Sequence, residues 1–367
     1  MRILYDYQAF SRQFYGGVSR YFVELARLLS RLDDTEVKIL APLYINHYLK
    51  ELDPGIVSGR PISWAPKAAG KLFSIYNMAT TRHHAASYHP DIVHETYFSQ
   101  QAIPLHSNQA RVVTVYDMIH ERFPEYFPGW DKTTAAKQLA VARADHVICI
   151  SDTTRHDLLE INNVRPDKVS VVHLGFDPFQ IQDTPTKSLV DSSYLLHVGI
   201  RSGYKNFQRL MEAYASNPTL HEQFQLVCFG GGKFSHTEEQ QIKTLGLGKD
   251  RLVWMGGSDS ILMQLYRHAA AFIYPSLYEG FGIPPLEAMA HDCPVVCSTG
   301  GSIPEVVGDA GEFFDPYDTV AISKAIESVT GSQEHAAKLR ALGRQRFRRF
   351  TWEQCANGTH AVYSALL

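Results

Sequence analysis

The 367 residues contain no apolar run of the length needed to cross a bilayer, which excludes a chain built on membrane-spanning helices. They also lack an excess of either charge. Against 38 Asp and Glu stand 35 Lys and Arg, a formal net charge of -3, so no broad field gathers nucleic acid and none is expected as a partner. Cysteine is scarce and odd in number: Cys149, Cys228, Cys293, Cys297 and Cys355 fall mostly in apolar, strand-like stretches, which suits reduced core thiols rather than a disulfide framework. Cys293 and Cys297 have no partner pair, and no acidic pair marks a strand end, so neither a metal nor another cofactor is expected. Nor does the first stretch suggest a leader. Met1-Arg2-Ile3-Leu4-Tyr5 reads as a strand rather than a signal peptide, and a cytoplasmic protein is the expectation.

What is present is an ordinary globular composition, 45% hydrophobic and 20% charged, in a chain long enough to bury two cores. The first half alternates short apolar strands (residues 2–5, 37–41, 91–94, 112–116, 146–150 and 169–173) with helical stretches, the pattern of a parallel sheet covered by helices. Its clearest helix spans 18–32, where Val18, Phe22, Leu25, Leu28 and Leu29 keep helical spacing. A polar segment at 177–193, with Pro178 and Pro185, reads as a linker. Strands then resume at 194–198, 225–229, 251–254, 271–274, 295–298 and 312–314, so the fold class is α/β with two Rossmann-like domains.

The densest chemistry lies between Tyr274 and Glu305. A strand ends, a loop carries Gly280 and Gly282, and a helix restarts at Pro284 and Pro285, where a missing N–H costs nothing. Glycines let a ligand approach the backbone, and the unpaired N–H groups of a first helical turn attract an anion, usually a phosphate. Glu279, before the turn, and Glu287, read as a first-turn residue, would not face a bare phosphate; each suits the hydroxyl pair of a sugar or ribose. Either carboxylate alone reads equally as a dipole partner or a solvated charge, and it is the glycines and tandem proline between them that favour a ligand. Phosphate plus hydroxyls implies a nucleotide sugar.

A second strand end carries Arg201 and Lys205 within Gly199-Ile200-Arg201-Ser202-Gly203-Tyr204-Lys205-Asn206, a planar fork and a point charge suited to a diphosphate. Gly230-Gly231-Gly232 closes the next strand in the same way, and Ser302 with Glu305 fits a capping box. In the first half, Tyr15-Gly16-Gly17 and the group Tyr116, Asp117 and His120 follow strand ends, where such sheets bind ligands. The stretch 64–84, with Trp64, Lys67, Lys71, Arg82, His83 and His84 among apolar residues, reads either as a helix packing its apolar stripe on the sheet or as a basic amphipathic face resting on lipid. The arginine-rich 338–349 reads as a solvated helix face.

The run from Glu279 through Gly-Phe-Gly-Ile-Pro-Pro-Leu to Glu287, with GGSIPEVVGDAG after it, GIRSGYKN near residue 200, YGGVSRY near the start and FTWEQC at the end, resembles the retaining glycosyltransferases of family 4 over nearly the whole chain. The resemblance implies the GT-B architecture: two facing domains, 1–182 for the acceptor and 190–350 for a nucleotide-diphosphate sugar, with 351–367 crossing back to the first and the reaction between them. It implies that Arg201 and Lys205 neutralise the diphosphate in place of a metal. Glu279 would contact the transferred sugar, Gly280, Phe281 and Gly282 would belong to the donor-binding loop, Glu287 would hold the ribose, and Gly16 and Gly17 would let the backbone approach the donor phosphates and the acceptor. Many relatives carry His-Asp where this chain has Tyr116-Asp117, so either His120 or Tyr116 would take that histidine's place near the sugar, with Asp117 on the acceptor side. The catalytic set is then Glu279, His120, Arg201 and Lys205.

Relatives that transfer mannose and rhamnose in polysaccharide and lipopolysaccharide assembly make GDP-mannose the first donor choice. By the same resemblance the acceptor is a saccharide or a lipid-linked saccharide, met with peripheral contact at the inner membrane face. The alternatives are a phosphorylase of this fold using pyridoxal phosphate, a nucleotide-sugar epimerase, and a non-catalytic nucleotide-sugar-binding subunit.

Overall fold

Apolar segments too short to be helices pair into two all-parallel sheets, buried on both faces as parallel sheets must be. The computed structural model describes residues 1–62, 70–106, 108–178, 187–248 and 250–367, with the backbone alone at 70 and 71. Trp64, Lys67 and the 179–186 part of the linker lie outside the described residues. The chain divides into two units, Met1–Gly175 with Thr351–Leu367, and Phe176–Phe350.

The first unit holds β1 (Arg2–Tyr5), β2 (Glu36–Tyr44), β3 (Val57–Pro61), β4 (Ile92–Glu95), β5 (Ala110–Val115), β6 (His146–Cys149) and β7 (Val169–Val171), in the order β3-β2-β1-β4-β5-β6-β7. The sequence reading passed over β3. Its residues, Val-Ser-Gly-Arg-Pro, carry no apolar alternation, and they can be a strand because they lie at the sheet edge, mostly exposed, where a proline breaks no ladder. The second unit holds β8 (Tyr194–Val198), β9 (Gln225–Phe229), β10 (Leu252–Met255), β11 (Ala271–Tyr274), β12 (Val295–Ser298) and β13 (Gly311–Phe314), in the order β10-β9-β8-β11-β12-β13. In each sheet the strand order reverses direction once, between β1 and β4 in the first unit and between β8 and β11 in the second. Crevices beyond the carboxyl ends of such strands are where these sheets take ligands.

Three helices differ from expectation. The amphipathic helix Gly17–Leu29 buries Tyr21, Phe22, Leu25 and Leu29 but stops at Leu29, short of residue 32, with the Ser30 N–H closing its last turn. The helix Gly70–Tyr88 docks through a polar residue: Asn77, 1% exposed, bonds the Leu43 N–H and carbonyl on β2 at 2.8 and 2.9 Å, while Leu72, Ile75 and Tyr76 are 69%, 58% and 52% exposed. Leu72, Ile75 and Tyr76 therefore do not pack on the sheet, and the helix's buried apolar contact comes from Ala85, which joins Leu4, Leu40 and Val93. On the helix Gln333–Arg346, Arg340 and Arg344 bond Asp292, and Arg346 bonds the Val306 and Glu305 carbonyls, so these arginines tie the helix to its own unit. All five cysteines are free and buried.

The last helix, Trp352–Ser364, packs on the helix Gly17–Leu29 and completes the first unit's core. Gly175 makes room for it, since a Cβ there would lie 2.4 Å from the Trp352 ring. The Tyr363 hydroxyl meets Tyr5 at 3.3 Å and His94 Nδ1, and His94 Nε2 meets the Thr114 hydroxyl at 2.9 Å. Burial pushes the His94 pKa down to about 3 and, in the second unit, that of His197 on β8 to about 4. Both folded values lie below the unfolded one, so the unfolded chain takes up protons first and stability falls as pH drops below ~6.5. Each histidine should contribute a slope of up to about 1.4 kcal/mol per pH unit. Urea unfolding at pH ~7 and ~5 checks this, and an unchanged midpoint would contradict it.

Candidate active site

Four loops converge at the carboxyl edge of the second sheet, and the β8–β11 reversal lies at their centre. After β8 the chain makes one 3-10 turn, Gly203–Lys205, and enters the helix Phe207–Ala215 through Asn206, held at φ 58°. Asn206 tolerates this left-handed backbone, and its buried amide donates to the Pro275 and Pro316 carbonyls at 3.0 and 2.8 Å. The Leu277 N–H donates to the Tyr204 carbonyl at 2.7 Å. The loops after β8 and β11 are thus locked together, and their two charged residues meet. Lys205 Nζ lies 2.6 Å from Glu279 Oε1, with Glu279 8% exposed. Lys205 also stands over the Tyr204 and Tyr274 rings, at 5.2 and 5.7 Å from their centroids. Burial first, then the charge and hydrogen bond of Glu279, hold the Tyr274 phenol protonated well above its usual pKa.

The Glu279 loop is fixed from beneath by Ser302. Its N–H donates to the Glu279 carbonyl at 3.1 Å, and its hydroxyl sits between the carbonyls of Glu279 (3.0 Å) and Phe281 (2.7 Å). The expected capping box at Ser302 does not form, because that hydroxyl is engaged by the loop rather than by its own helix, Ile303–Val307. Gly282 enters the helix Ile283–Ala290 at φ 130°, a backbone that glycine alone adopts readily. Because the helix starts at Ile283, Glu287 lies on its second turn rather than the first, where the dipole argument loses force. Tyr266 donates to Glu287 Oε2 at 3.1 Å and orients it. The Phe281 ring is 4% exposed and packs edge-on to Phe350 at 5.4 Å, so this residue shapes the loop through packing, not through a side chain offered to a ligand.

Arg201 is placed differently from expectation. Its Nε donates to Glu238 Oε1 at 2.7 Å, Nη1 to the Gly230 carbonyl at 3.0 Å, and Nη2 to the Gly232 and Lys233 carbonyls at 3.0 and 3.2 Å. The side chain is 3% exposed and lies over the Phe234 ring at 4.8 Å. In this structure the guanidinium therefore holds up the triple-glycine loop instead of facing a diphosphate, and Lys205 is the cation at the β8–β11 reversal. Gly230, Gly231 and Gly232 all have φ between 65° and 81°, and a Cβ at Gly231 would lie 2.7 Å from the Gly199 carbonyl oxygen. Sequence reasoning missed Glu238, although Ser235 three residues before it is a legible capping-box signal. It also missed the roles of Tyr274, Tyr266 and Asn206, for which spacing gives no signal.

The first unit's candidates lie at the same edge of its own sheet. Gly16 is extended (φ 176°), and a Cβ at Gly17 would meet nothing within 4 Å, so neither backbone strain nor packing accounts for Gly17. After β5, the Tyr116 hydroxyl is enclosed without a hydrogen-bond partner among the described residues, its ring edge-on to Tyr21 at 5.9 Å. Asp117 Oδ1 accepts the Ile119 N–H at 3.0 Å and stands 3.9 Å from the buried Lys137 Nζ, which sequence reasoning did not single out. His120, on the four-residue helix Ile119–Arg122, stacks on Phe127 at 3.8 Å with Nε2 3.5 Å from Asp131, and its Nδ1 is enclosed without a partner among the described residues.

Two Rossmann-like units, one of them gathering a lysine, a carboxylate and glycine loops at its strand-order reversal, define the GT-B class of glycosyltransferase fold. The model described as Glycosyltransferase Family 4 matches residues 15–179, and that described as Glycosyl transferases group 1 matches residues 180–346. The chain belongs to this family of glycosyltransferases. O-antigen chain mannosyltransferase B of Escherichia coli is 30% identical over 273 residues, 71% of this chain and 72% of that one. O-antigen chain mannosyltransferase RfbU of Salmonella typhimurium is 28% identical over 233 residues, 63% of each chain. Among solved structures, Anabaena Alr3699/HepE in complex with UDP shares the fold, with a TM-score of 0.73 and 20% identity over the full length of both chains. Among the described residues no helix is long and apolar enough to cross a membrane.

Proposed function

We propose that the chain transfers a hexosyl group, in the first instance mannose from GDP-mannose, to a hydroxyl of a saccharide or lipid-linked saccharide on the cytoplasmic side, with retention at the anomeric carbon and without a divalent metal. The observation that carries this reading is the 2.6 Å contact of Lys205 and Glu279 at the β8–β11 reversal, one cation and one carboxylate where a sugar diphosphate needs both. Lys205 supplies the charge for the diphosphate and Glu279 accepts from sugar hydroxyls and faces the positive charge that develops on the ring. Glu287, oriented by Tyr266, is set for a ribose diol. The two mannosyltransferase relatives support the choice of sugar, and the bound UDP of a neighbour in fold supports a nucleoside diphosphate leaving group. On the retaining route the anomeric C–O bond to phosphate breaks, the acceptor oxygen bonds to the same face, and its proton passes to the leaving phosphate, so no protein nucleophile is needed.

A thermal-shift panel of UDP-, GDP- and dTDP-sugars tests the donor, since a ligand at 100 times its dissociation constant adds about 2.7 kcal/mol of stability. Silence across the panel would sink the reading, and the anomeric configuration of the product by NMR tests retention. Turnover is expected to persist in excess EDTA, because Lys205 supplies the positive charge. Complete loss restored by magnesium or manganese would overturn the metal-free part.

A further inference from the structure

The first unit contains a cavity of about 570 Å³ at its own strand-order reversal. Tyr7 and Arg12 reach it from beyond β1, Tyr97 through Gln101 from beyond β4, Lys132 and Thr133 from the start of the helix Thr133–Arg143, and Ile75 and Met78 from the helix Gly70–Tyr88. This is the size of pocket that encloses a small organic ligand. Its charge is one-sided: among the described residues that line it there are two cations and no carboxylate, in a chain whose net charge is -3. Neither Arg12 nor Lys132 is in an ion pair among the described residues. Arg12 lies over the Tyr97 ring, 5.4 Å from its centroid, which holds the guanidinium at the cavity. The nearest acidic side chain in sequence, Asp131, is turned to the Thr133 N–H at 2.7 Å and to His120 at 3.5 Å. The two cations share this concave site with an apolar wall that includes Ile75, Met78 and Phe98.

We infer that this cavity holds the acceptor by an anionic group, a phosphate or diphosphate, placed between Arg12 and Lys132. Resting on the glycosyltransferase reading above, this makes the acceptor a phosphate-bearing saccharide rather than a neutral one. The shared chemistry has two sources, a soluble sugar phosphate and a lipid-linked one. Ile75, which lines the cavity, and the exposed Leu72 one turn before it on the same helix offer an apolar track for a lipid chain.

The test uses the full chain with its donor site kept filled by saturating nucleoside diphosphate, and titrates inorganic pyrophosphate, octyl diphosphate and octyl mannoside by calorimetry. The diphosphates should bind, and the double variant R12Q/K132Q should weaken them about tenfold or more while leaving the neutral mannoside unchanged. Both side chains are exposed and outside the core, so the variant should fold. Equal affinity for pyrophosphate and octyl diphosphate marks a soluble acceptor, and a gain from the octyl chain marks a lipid-linked one; either supports the inference. Diphosphate binding that the double variant leaves intact, or no diphosphate binding to a wild-type chain that still binds nucleotide, overturns it. A wild-type chain that binds no nucleoside diphosphate would instead register as failure of the donor-site reading, seen in its own titration.

Discussion

Glu279→Ala is expected to lower turnover at saturating donor by on the order of 10²-fold, while nucleoside-diphosphate affinity holds or rises. Glu279 is 8% exposed, and among the described residues its carboxylate pairs with Lys205 at 2.6 Å. On the proposed reading, removing it deletes the group that faces the developing charge on the sugar, yet frees the lysine for phosphate. Glu279→Gln keeps the shape, loses the charge, and should fall with the alanine variant in turnover. The pairing makes the reverse change less clean: Lys205→Ala takes a cation from the diphosphate, at a cost of about 1.5–3 kcal/mol in binding, and also leaves Glu279 buried without its counter-charge. Calorimetry with the nucleoside diphosphate and single-turnover kinetics separate the two effects. A Glu279→Ala chain that binds the diphosphate more weakly and turns over normally would reverse the assignment.

Arg201→Ala is expected to act on stability before it acts on binding. The guanidinium is 3% exposed, its partner Glu238 is 19% exposed, and it donates to the carbonyls of Gly230, Gly232 and Lys233 in one loop. Breaking such a pair from one side costs about 3 kcal/mol, the lower end of the range because Glu238 keeps some water. The double variant with Glu238→Ala should recover part of that loss. Burial raises the Glu238 pKa, but the hydrogen bonds from Arg201 and Ser235 outweigh it and the net shift is downward. A depressed folded value means that the pair's contribution is present above the ordinary carboxylate pKa and is lost as pH falls through the folded one. If Arg201→Ala unfolds with wild-type stability and loses only diphosphate affinity, the guanidinium turns toward the ligand after all and the loop-anchoring role is wrong.

These two residues show where the sequence was readable and where it was not. Strands such as β8 and β11 were legible because a buried parallel strand is a short apolar run, and the Glu279–Glu287 loop because glycine and proline mark a backbone that few residues can follow. β3 was illegible because an edge strand needs no apolar pattern. Arg201 was read correctly as a strand-end cation, but a strand end says nothing about which way a long side chain turns, and its partner Glu238 lies 37 positions away. Ser302 was misread for a related reason: the capping pattern is local, while the carbonyls that claim the hydroxyl belong to a loop more than twenty positions earlier. Asn77 shifted the docking face of its helix because a buried amide that satisfies a strand's N–H and carbonyl holds that face against the sheet together with Ala85, and leaves Leu72, Ile75 and Tyr76 exposed.

The return of Trp352–Ser364 to the first unit sets a timetable for synthesis. The second unit is a continuous stretch and has all its strands once the ribosome has passed Phe350, whereas the first must wait for residues beyond it, although its seven strands were made long before. Until then Tyr5, Tyr21 and His94 lack their cover, and the hydroxyl contact that closes the core joins residues 358 positions apart. The earlier-made unit is therefore the later to mature, and a chain that ends between Phe350 and Trp352 carries a complete second unit beside an open, aggregation-exposed first one. A stop codon at position 351 should accordingly leave nucleotide binding to the second unit and make the first the target of proteases.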